Sequence, residues 1–418
     1  MKTIPKKSLR IILLILLFTT LLRTYNLGIP DTVSMDEFYY VPAARALLSG
    51  EVDPNLEHHP PLAKEIIAAG MYLFGDTPVG WRIFPVIFGE IGILLTYILA
   101  KKLFRDETVA LLSMFLLSLS SLWFVLSRTA MLDIFMATFL LLSFYLFIRY
   151  CEKPTAYNAL FWGISLGLTL ASKWTAILIF ILLPYTTIAF TKQKDFRLRM
   201  SSQPFRTFIR HAAIAAVSMT ITYFASYLPH ILNHGFISFL LTQWKILSRH
   251  LFFIKKEGGY SILAPFAWPF IPAHALSAGG VKTETHLTVT TMLENPLLLW
   301  TFIPALVGGF VRALKTRHIN LLFISSALAV LYIPWLILDR PKYFYYMLPI
   351  IPLLCCVNGY FLTQWWNTGG LKKAGVMAYM ILLIAYFSLS YPLLTGTPMA
   401  FTTINVVFFF WKSYFLRI

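Results

Sequence analysis

The composition of this 418-residue chain excludes a water-soluble globule. Hydrophobic residues make up 58% of the chain and charged residues 13%, and the mean hydropathy is +0.70, so too few polar residues are present to cover a soluble surface. The net charge of +17 does not indicate a nucleic-acid-binding protein, because basic residues spread among apolar runs are typical of membrane topology and of contact with anionic lipids. Cys151, Cys355 and Cys356 have no paired spacing and indicate neither a disulfide framework nor a zinc site.

Apolar stretches of about 20 residues recur along nearly the whole chain, and each is long enough to cross a bilayer as a helix. The first is not followed by a small-residue cleavage site, so we expect an uncleaved span. We predict an all-α integral membrane protein with about eleven transmembrane helices. The predicted spans cover residues 9–28, 81–100, 108–127, 131–149, 157–173, 174–191, 209–229, 296–314, 319–338, 343–362 and 374–395.

The distribution of lysine and arginine predicts the orientation. Every second connection between spans is rich in these residues, and such connections lie in the cytoplasm. The N-terminus is then cytoplasmic, and two long loops, residues 29–80 and 230–295, lie on the outer face of one transmembrane domain that covers residues 1–418. Both loops mix charges with His, Trp, Tyr and Pro, a composition that suits a binding site. We expect them to carry interfacial helices, one of them in the amphipathic stretch 236–253.

Two adjacent acids, Asp36 and Glu37, follow the first span in the first long loop. One carboxylate could take a proton from a reacting hydroxyl while the other holds a neighbouring group in place. The alternative is structural, since Asp36 could cap the helix that follows, with Glu37 in its first turn.

The same loop continues with a proline-stiffened segment, His59-Pro60-Pro61, which leads into a helix that begins near Leu62. Lys64 then lies in the first helical turn, where a cation is unfavourable unless an anion lies beside it, so its position indicates a phosphate ligand. A lysine that extends to the membrane surface is the alternative. Adjacent histidines tend to face opposite ways, so His58 and His59 do not indicate a metal site.

Further cations lie where apolar spans end on the predicted outer side. Arg128 and Asp133 indicate either an ion pair between two helices or an arginine turned toward a phosphate, and Lys173 lies at the same level. Trp268, in an aromatic, proline-containing stretch of the second long loop, could stack on a sugar or anchor the loop at the membrane surface. A last cluster, suited to an anionic lipid head group or to interfacial anchoring, consists of Arg340, Lys342 and Tyr343.

Taken together, these motifs resemble the protein O-mannosyltransferase family. The matching positions follow the family's order over about residues 30–350, and they are Asp36-Glu37, His59-Pro60-Pro61-Leu62 with Lys64, Arg128 with Leu132-Asp133, Lys173-Trp174, Trp268-Pro269 and Arg340 to Pro349. The family belongs to the C-type glycosyltransferase superfamily, which also contains the similar aminoarabinose transferases that act on lipid A.

The resemblance implies transfer of a sugar, commonly mannose from dolichyl phosphate or another polyprenyl phosphate, to a hydroxyl with inversion. It also implies the eleven-span C-type fold, with Asp36 as catalytic base and Glu37 beside the acceptor. On this interpretation no cofactor is required, and a divalent metal is unnecessary although not excluded. We assign the donor phosphate to Lys64, Arg128, Arg340, Lys342 and Tyr343, the acceptor or sugar to Tyr39, His59 and Trp268, and support of the site to Asp133 and Lys173.

Three alternatives stay open at the level of the sequence. Glu37 could be the base instead of Asp36. The long soluble insertion of eukaryotic members is missing from the second long loop, so the hydroxyl acceptor could be a protein Ser/Thr or, as in the aminoarabinose transferases, a lipid. A multi-span transporter is the rival of a different class, but the sequence shows no internal repeat and most of its candidate charges lie at one outer level. Only Arg23 and Glu90 lie deeper.

Overall fold

The computed structural model describes residues 5–178, 205–251, 265–271, 273–283, 286–338 and 342–407. This part of the chain is mostly helical, as its long apolar runs predict. The helices are α1 (Lys6–Thr24), α2 (Glu37–Ser49), α3 (Leu62–Phe74), α4 (Pro78–Phe104), α5 (Glu107–Ser118), α6 (Ser121–Leu126), α7 (Leu132–Glu152), α8 (Ala156–Ser172), α9 (Phe205–Ser226), α10 (Leu228–Leu251), α11 (Pro296–Leu299), α12 (Phe302–Thr316), α13 (Ile319–Ile337), α14 (Ile351–Thr368), α15 (Gly370–Thr395) and α16 (Phe401–Val407). Short 3-10 turns cover Trp174–Leu178, Pro265–Ala267 and Phe344–Met347.

Six helical stretches in the described part of the chain are long and apolar enough to cross a membrane, as expected of an integral membrane protein. They are Pro78–Phe104, Leu132–Glu152, Arg206–Ser226, Pro296–Thr316, Ile319–Ile337 and Gly370–Thr395. Each coincides with a predicted span. The total of about eleven spans stays a prediction, and most of the predicted span at residues 174–191 lies outside the described residues.

The predicted span at residues 108–127 is not one continuous helix, because α5 and α6 are separated within it. The hydroxyl of Ser120 accepts a hydrogen bond from the backbone N–H of Trp123 (3.1 Å) and donates one to the carboxylate of Glu294 (2.5 Å). Serine side chains compete in this way with the backbone bonds of a helix. The serine-rich sequence therefore caps a new helix instead of continuing the old one.

A three-stranded antiparallel sheet corrects the all-α prediction. Strand β1 (Ala273–Lys282) pairs with β2 (His286–Leu293), which in turn pairs with β3 (Met399–Ala400). Leu287 of β2 is aligned with Lys282 on one side and with Met399 on the other. Strand β2 contains three threonines and one valine, residue types that favour extended backbone. The second long loop thus contains a hairpin as well as helix α10, and the hairpin meets the segment after α15.

Helix α4 lies in the core and packs against α1, α3, α5 and α7. Its Gly92 faces the ring of Trp123 so closely that a Cβ atom would lie 2.2 Å from Cζ2. The indole Nε1 of Trp123 donates to the carbonyl oxygen of Gly89 (3.1 Å). Small residues permit this close approach of helices in a membrane protein. The contact fixes α6 against α4, and with it the connection to α7 that carries Ala130.

Arg23 and Glu90, the deepest charges that the sequence places in the spans, form an ion pair between α1 and α4. Arg23 Nη1 lies 3.2 Å from Glu90 Oε1, and Arg23 Nε donates to the hydroxyl of Ser127 (2.8 Å). The hydroxyl of Thr19 donates to the second oxygen of Glu90 (2.8 Å). Charges inside a membrane protein are stabilised by such pairing. The pair therefore joins helices, which gives both residues a structural role.

Candidate active site

A cavity of about 850 Å³ lies between the first long loop, the C-terminal end of α10 and the tyrosines that precede α14. Its lining is polar and aromatic rather than purely apolar, which suits a sugar and a charged head group. The charged and imidazole side chains among the described lining residues are Asp36, His58, His59, Lys173, Arg249 and His250.

Asp36 is the only carboxylate among the described lining residues. Asp36 precedes α2, but its side chain makes no capping hydrogen bond to that helix. The alternative that Asp36 caps the helix therefore does not apply to its carboxylate. Instead its Oδ2 accepts a hydrogen bond from the hydroxyl of Tyr345 (3.1 Å). Burial raises the pKa of Asp36, Lys173 opposes the rise, Asp133 adds to it, and the Tyr345 hydrogen bond opposes it. A raised pKa makes the ionised carboxylate a stronger base than an exposed aspartate.

Glu37 is fully buried and is not among the described residues that line the cavity. Its two carboxylate oxygens each accept a hydrogen bond from Arg82 (2.8 Å). They also accept bonds from the backbone N–H and the hydroxyl of Ser34 (2.9 and 3.1 Å) and from the backbone N–H of Ala130 (2.8 Å). These bonds leave little capacity for a substrate. The geometry favours Glu37 as the residue that fixes the loop around Asp36, and its catalytic role stays a prediction.

Arg82, at the start of α4, is a site-supporting residue that the sequence analysis missed. Besides its two bonds to Glu37, it donates to the backbone carbonyl oxygens of Leu27 (3.1 Å), Pro30 (2.8 Å) and Thr32 (3.1 Å). All five N–H donors of its guanidinium are therefore used. An arginine inside a predicted apolar span, residues 81–100, is the signal that could have identified it.

Lys173 and Asp133, predicted to support the site, form a buried ion pair. Nζ of Lys173 donates to both carboxylate oxygens of Asp133, at 2.9 and 2.7 Å. The same ammonium lies 5.1 Å from the ring centroid of Tyr345 and 5.6 Å from that of Tyr346, and Lys173 lines the cavity. One interpretation of the sequence paired Asp133 with Arg128. In the structure Asp133 pairs with Lys173 instead.

Lys64, predicted to contact a donor phosphate, is not among the described residues that line the cavity, and its phosphate contact stays a prediction. It is fully buried, forms an ion pair with Asp53 and donates to the backbone carbonyl oxygen of His59 (2.9 Å). The anion that a lysine in the first turn of a helix requires is the carboxylate of Asp53. Burial lowers the pKa of Lys64, and Asp53 opposes this effect. The pair holds the His59 segment in place beside the cavity.

Two more of the predicted ligands also lie away from the cavity. Arg128 is buried, donates to the backbone carbonyl oxygen of Asn26 (3.0 Å) and lies 5.4 Å from the ring centroid of Phe124. Trp268 is fully buried and packs near Tyr332, with ring centroids 6.5 Å apart, so its indole is not available to stack on a sugar. Both side chains are buried in the protein interior, and a sequence motif alone does not show this burial.

The remaining predicted ligands divide between the cavity and its surroundings. Tyr39, His59 and Tyr343 line the cavity, as their assignment requires. The ring of Tyr343 stacks on that of Tyr345 with centroids 5.3 Å apart. Lys342 is half-buried and is not part of the described lining, and Arg340 lies outside the described residues.

Helix α10 contributes Arg249 and His250 to the cavity, and the sequence analysis did not single out either residue. Glu57 of the first long loop forms ion pairs with Arg249 (2.7 Å) and with Lys245. These contacts join the two long loops at the cavity. The spacing of Lys245 and Arg249, four residues apart on one helical face opposite apolar residues, is the signal that could have indicated a functional face.

The described residues contain no group of three or more His, Cys, Asp or Glu side chains that could hold a metal ion. That no cofactor is required stays a prediction.

Residues 58–209 match the family model described as dolichyl-phosphate-mannose-protein mannosyltransferase. The chain is 24% identical to a protein of Mycolicibacterium smegmatis named polyprenol-phosphate-mannose–protein mannosyltransferase, over 92% of this chain and 89% of that protein. The chain is thus similar to protein O-mannosyltransferases. The resemblance that its motifs indicated is confirmed.

Solved structures confirm the C-type glycosyltransferase fold for this protein O-mannosyltransferase relative. A chain of the S. cerevisiae protein O-mannosyltransferase Pmt1–Pmt2 complex bound to the sugar donor superimposes with a TM-score of 0.81, covering 97% of this chain and 92% of that one at 13% identity. ArnT from Cupriavidus metallidurans bound to undecaprenyl phosphate superimposes with a TM-score of 0.62, covering 90% of this chain and 64% of that one at 16% identity. The protein therefore has the fold of these membrane glycosyltransferases.

Proposed function

We propose that the protein transfers mannose from a polyprenyl-phosphate donor to the hydroxyl of a protein serine or threonine, with inversion at the sugar. The observation that carries the proposal is the position of Asp36, a hydrogen-bonded carboxylate in a large cavity between the two long loops. The named relative, which aligns over most of both chains, favours mannose as the sugar and a protein as the acceptor.

The chemistry requires one base and a stabilised leaving group. The Asp36 carboxylate takes the proton of the acceptor hydroxyl, and the oxygen forms a bond to the anomeric carbon of the sugar. The bond between that carbon and the phosphate oxygen breaks, and its electron pair leaves with the polyprenyl phosphate. Glu37 is engaged by Arg82 and does not line the cavity, so we assign the base to Asp36.

Positive charge near the departing phosphate lowers the barrier to this step. Lys173 and Arg249 are the Lys and Arg residues of the described cavity lining, and Asp133 already binds Lys173 through both of its oxygens. Arg249 also pairs with a carboxylate, that of Glu57, but its side chain is 42% exposed, whereas that of Lys173 is 2% exposed. We assign the phosphate to Arg249 and Tyr343, with Arg340 and Lys342 as the neighbouring cations in sequence.

The orientation proposed for the protein follows from its charges. Basic residues lie at the first turn of α1, with Lys6 and Lys7, and at the last turn of α4, with Lys101 and Lys102. Placing these ends in the cytoplasm puts the cavity on the outer face of the membrane. The two long loops, residues 29–80 and 230–295, then form the catalytic face of a single domain of residues 1–418.

The acceptor is tested by supplying the purified protein with polyprenyl-phosphate mannose labelled in the sugar, together with a peptide that contains serine and threonine. The matched control is the same peptide with alanine at those positions. Label on the first peptide only supports the proposal. Label that appears instead in an added lipid fraction would show that the acceptor is a lipid, as expected of an aminoarabinose-transferase-like enzyme.

Replacing Arg249 by alanine is expected to raise the KM for the donor by about tenfold, because a charge-assisted hydrogen bond to the phosphate is lost. Lys245→Ala is the matched control, since Lys245 pairs with the same Glu57 but does not line the cavity. Initial rates measured against donor concentration give the KM for the donor of each variant. An equal rise in KM for the two variants would show that they act by loosening the contact between the loops, and would remove Arg249 from the phosphate site.

A further inference from the structure

We propose that Lys173 is a positioning residue for the base: fixed by Asp133, its ammonium polarises Tyr345 and strengthens the hydrogen bond that holds Asp36 ionised in the cavity. The inference rests on the proposed function, in which Asp36 takes the proton of the acceptor. It gives the buried ion pair a task beyond joining two helices.

The first step is that the ammonium is held in a fixed place. Lys173 and Asp133 are 2% and 1% exposed. Lys173 lies at the C-terminal end of α8, where its backbone N–H donates to the carbonyl oxygen of Thr169 (3.2 Å), and Asp133 lies in the first turn of α7. Two bonds from Nζ to the two oxygens of Asp133 remove the rotational freedom of a long side chain.

The second step is that this ammonium meets a tyrosine ring whose hydroxyl binds the base. Nζ lies 5.1 Å from the ring centroid of Tyr345, and the Tyr345 hydroxyl donates to Asp36 Oδ2 at 3.1 Å. A cation over an aromatic face is attracted by its electrons and draws density from the ring. The phenol O–H becomes a stronger donor, and connected polar groups reinforce each other in this way.

The third step is that the direct effect of the Lys173 and Asp133 charges on Asp36 does not by itself explain why this ion pair lies beside Tyr345. Lys173 stabilises the ionised form of Asp36, whereas Asp133 destabilises it, so the two charges of the pair oppose each other at Asp36. A path through Tyr345 adds to the direct effect of Lys173, because the ammonium lies 5.1 Å from the ring centroid and the hydroxyl of that ring donates to Asp36. Other titratable or charged groups at the cavity are Tyr39, Tyr40, His58, His59, Arg249, His250, Tyr343 and Tyr346.

The test is the pH dependence of kcat/KM for transfer in the full-length protein. The double variant Lys173→Gln with Asp133→Asn removes both charges and leaves no unpaired buried ion. Without the polarised tyrosine the pKa of Asp36 rises, so the fall in rate on acidification is expected to move to higher pH by about one pH unit. Tyr345→Phe is expected to move the acid side of the profile by a similar amount. The triple variant, which combines Tyr345→Phe with the two changes at Lys173 and Asp133, is expected to move it no further than Tyr345→Phe alone.

Lys173→Arg is the conservative control, because it keeps a cation over the ring and should restore the position of the wild-type profile. A structural role alone predicts a different result, namely a lower rate at every pH with the acid side of the profile unmoved. That result in the double variant, or fully additive shifts in the triple variant, would overturn the proposal.

A second readout does not depend on transfer. The ionisation of Asp36 can be followed by infrared difference spectroscopy, with Asp36→Asn as the reference that identifies its carboxyl band. The proposal predicts that Asp36 titrates at higher pH in the double variant than in the wild type, even if the protein transfers no mannose. Coincident titrations would contradict the role of Lys173, whereas an inactive wild type would contradict only the proposed reaction.

Discussion

Replacing Asp36 by asparagine is expected to lower kcat for mannose transfer by about 10³-fold, the contribution typical of a positioned base. The amide has nearly the shape of the carboxylate and can still accept the hydrogen bond from Tyr345, so the cavity should keep its structure. It cannot accept the proton of an acceptor hydroxyl. Initial rates of the purified proteins at saturating donor and acceptor measure the effect, and donor affinity should change little.

Asp31→Asn is the matched control for this variant. Asp31 lies in the same loop, the charge change is identical, and its side chain is exposed. We expect this control to transfer mannose at the wild-type rate. A fully active Asp36 variant would show that Asp36 is not the base and would direct attention to Glu37, through Glu37→Gln.

Replacing Arg82 by methionine is expected to destabilise the protein by about 3–5 kcal/mol, because Glu37 would remain buried without its countercharge. Three backbone carbonyl groups of the loop before Asp36 would also lose their donor, those of Leu27, Pro30 and Thr32. Transfer activity should be lost with the order of this loop. Thermal unfolding of the purified protein in detergent, followed together with activity, measures both effects.

Arg45→Met is the matched control for the Arg82 variant. Arg45 pairs with Asp76 at 2.7 Å and lies 5.3 Å from the ring centroid of Trp81, but the pair is exposed. Its loss should cost less than about 1 kcal/mol. Arg82→Lys should be intermediate, since it keeps the charge but not the five-donor geometry. Equal stability of the Arg45 and Arg82 variants would contradict the anchoring role of Arg82.

Much of the architecture could be predicted because membrane spans depend on average hydropathy, which a sequence displays directly. The position of Asp36 at a cavity could be predicted for a similar reason, since loops with mixed charge and aromatic residues seldom serve topology alone. The order of the motifs along the chain also indicated the resemblance to protein O-mannosyltransferases. The hairpin of β1 and β2 was missed because neither strand shows an alternation of apolar and polar residues sustained over its length.

The pairing of buried charges could not be predicted from the sequence. Lys64 was expected to bind a phosphate, but Asp53, eleven residues earlier in an irregular loop, supplies the anion. One of two interpretations of the sequence paired Asp133 with its near neighbour Arg128, but the partner of Asp133 is Lys173, 40 residues away. Each choice depends on which side chains the fold brings within reach, and spacing along the chain carries no information on that contact.

The measurement that tests the central claim most directly is single-turnover transfer by the reconstituted wild-type protein from polyprenyl-phosphate mannose to a serine- and threonine-containing peptide. The account predicts that mannosylated peptide and free polyprenyl phosphate appear together in equal amounts, and that neither forms with Asp36→Asn. Release of polyprenyl phosphate without mannosylated peptide, or product formed equally by the Asp36 variant, would contradict it.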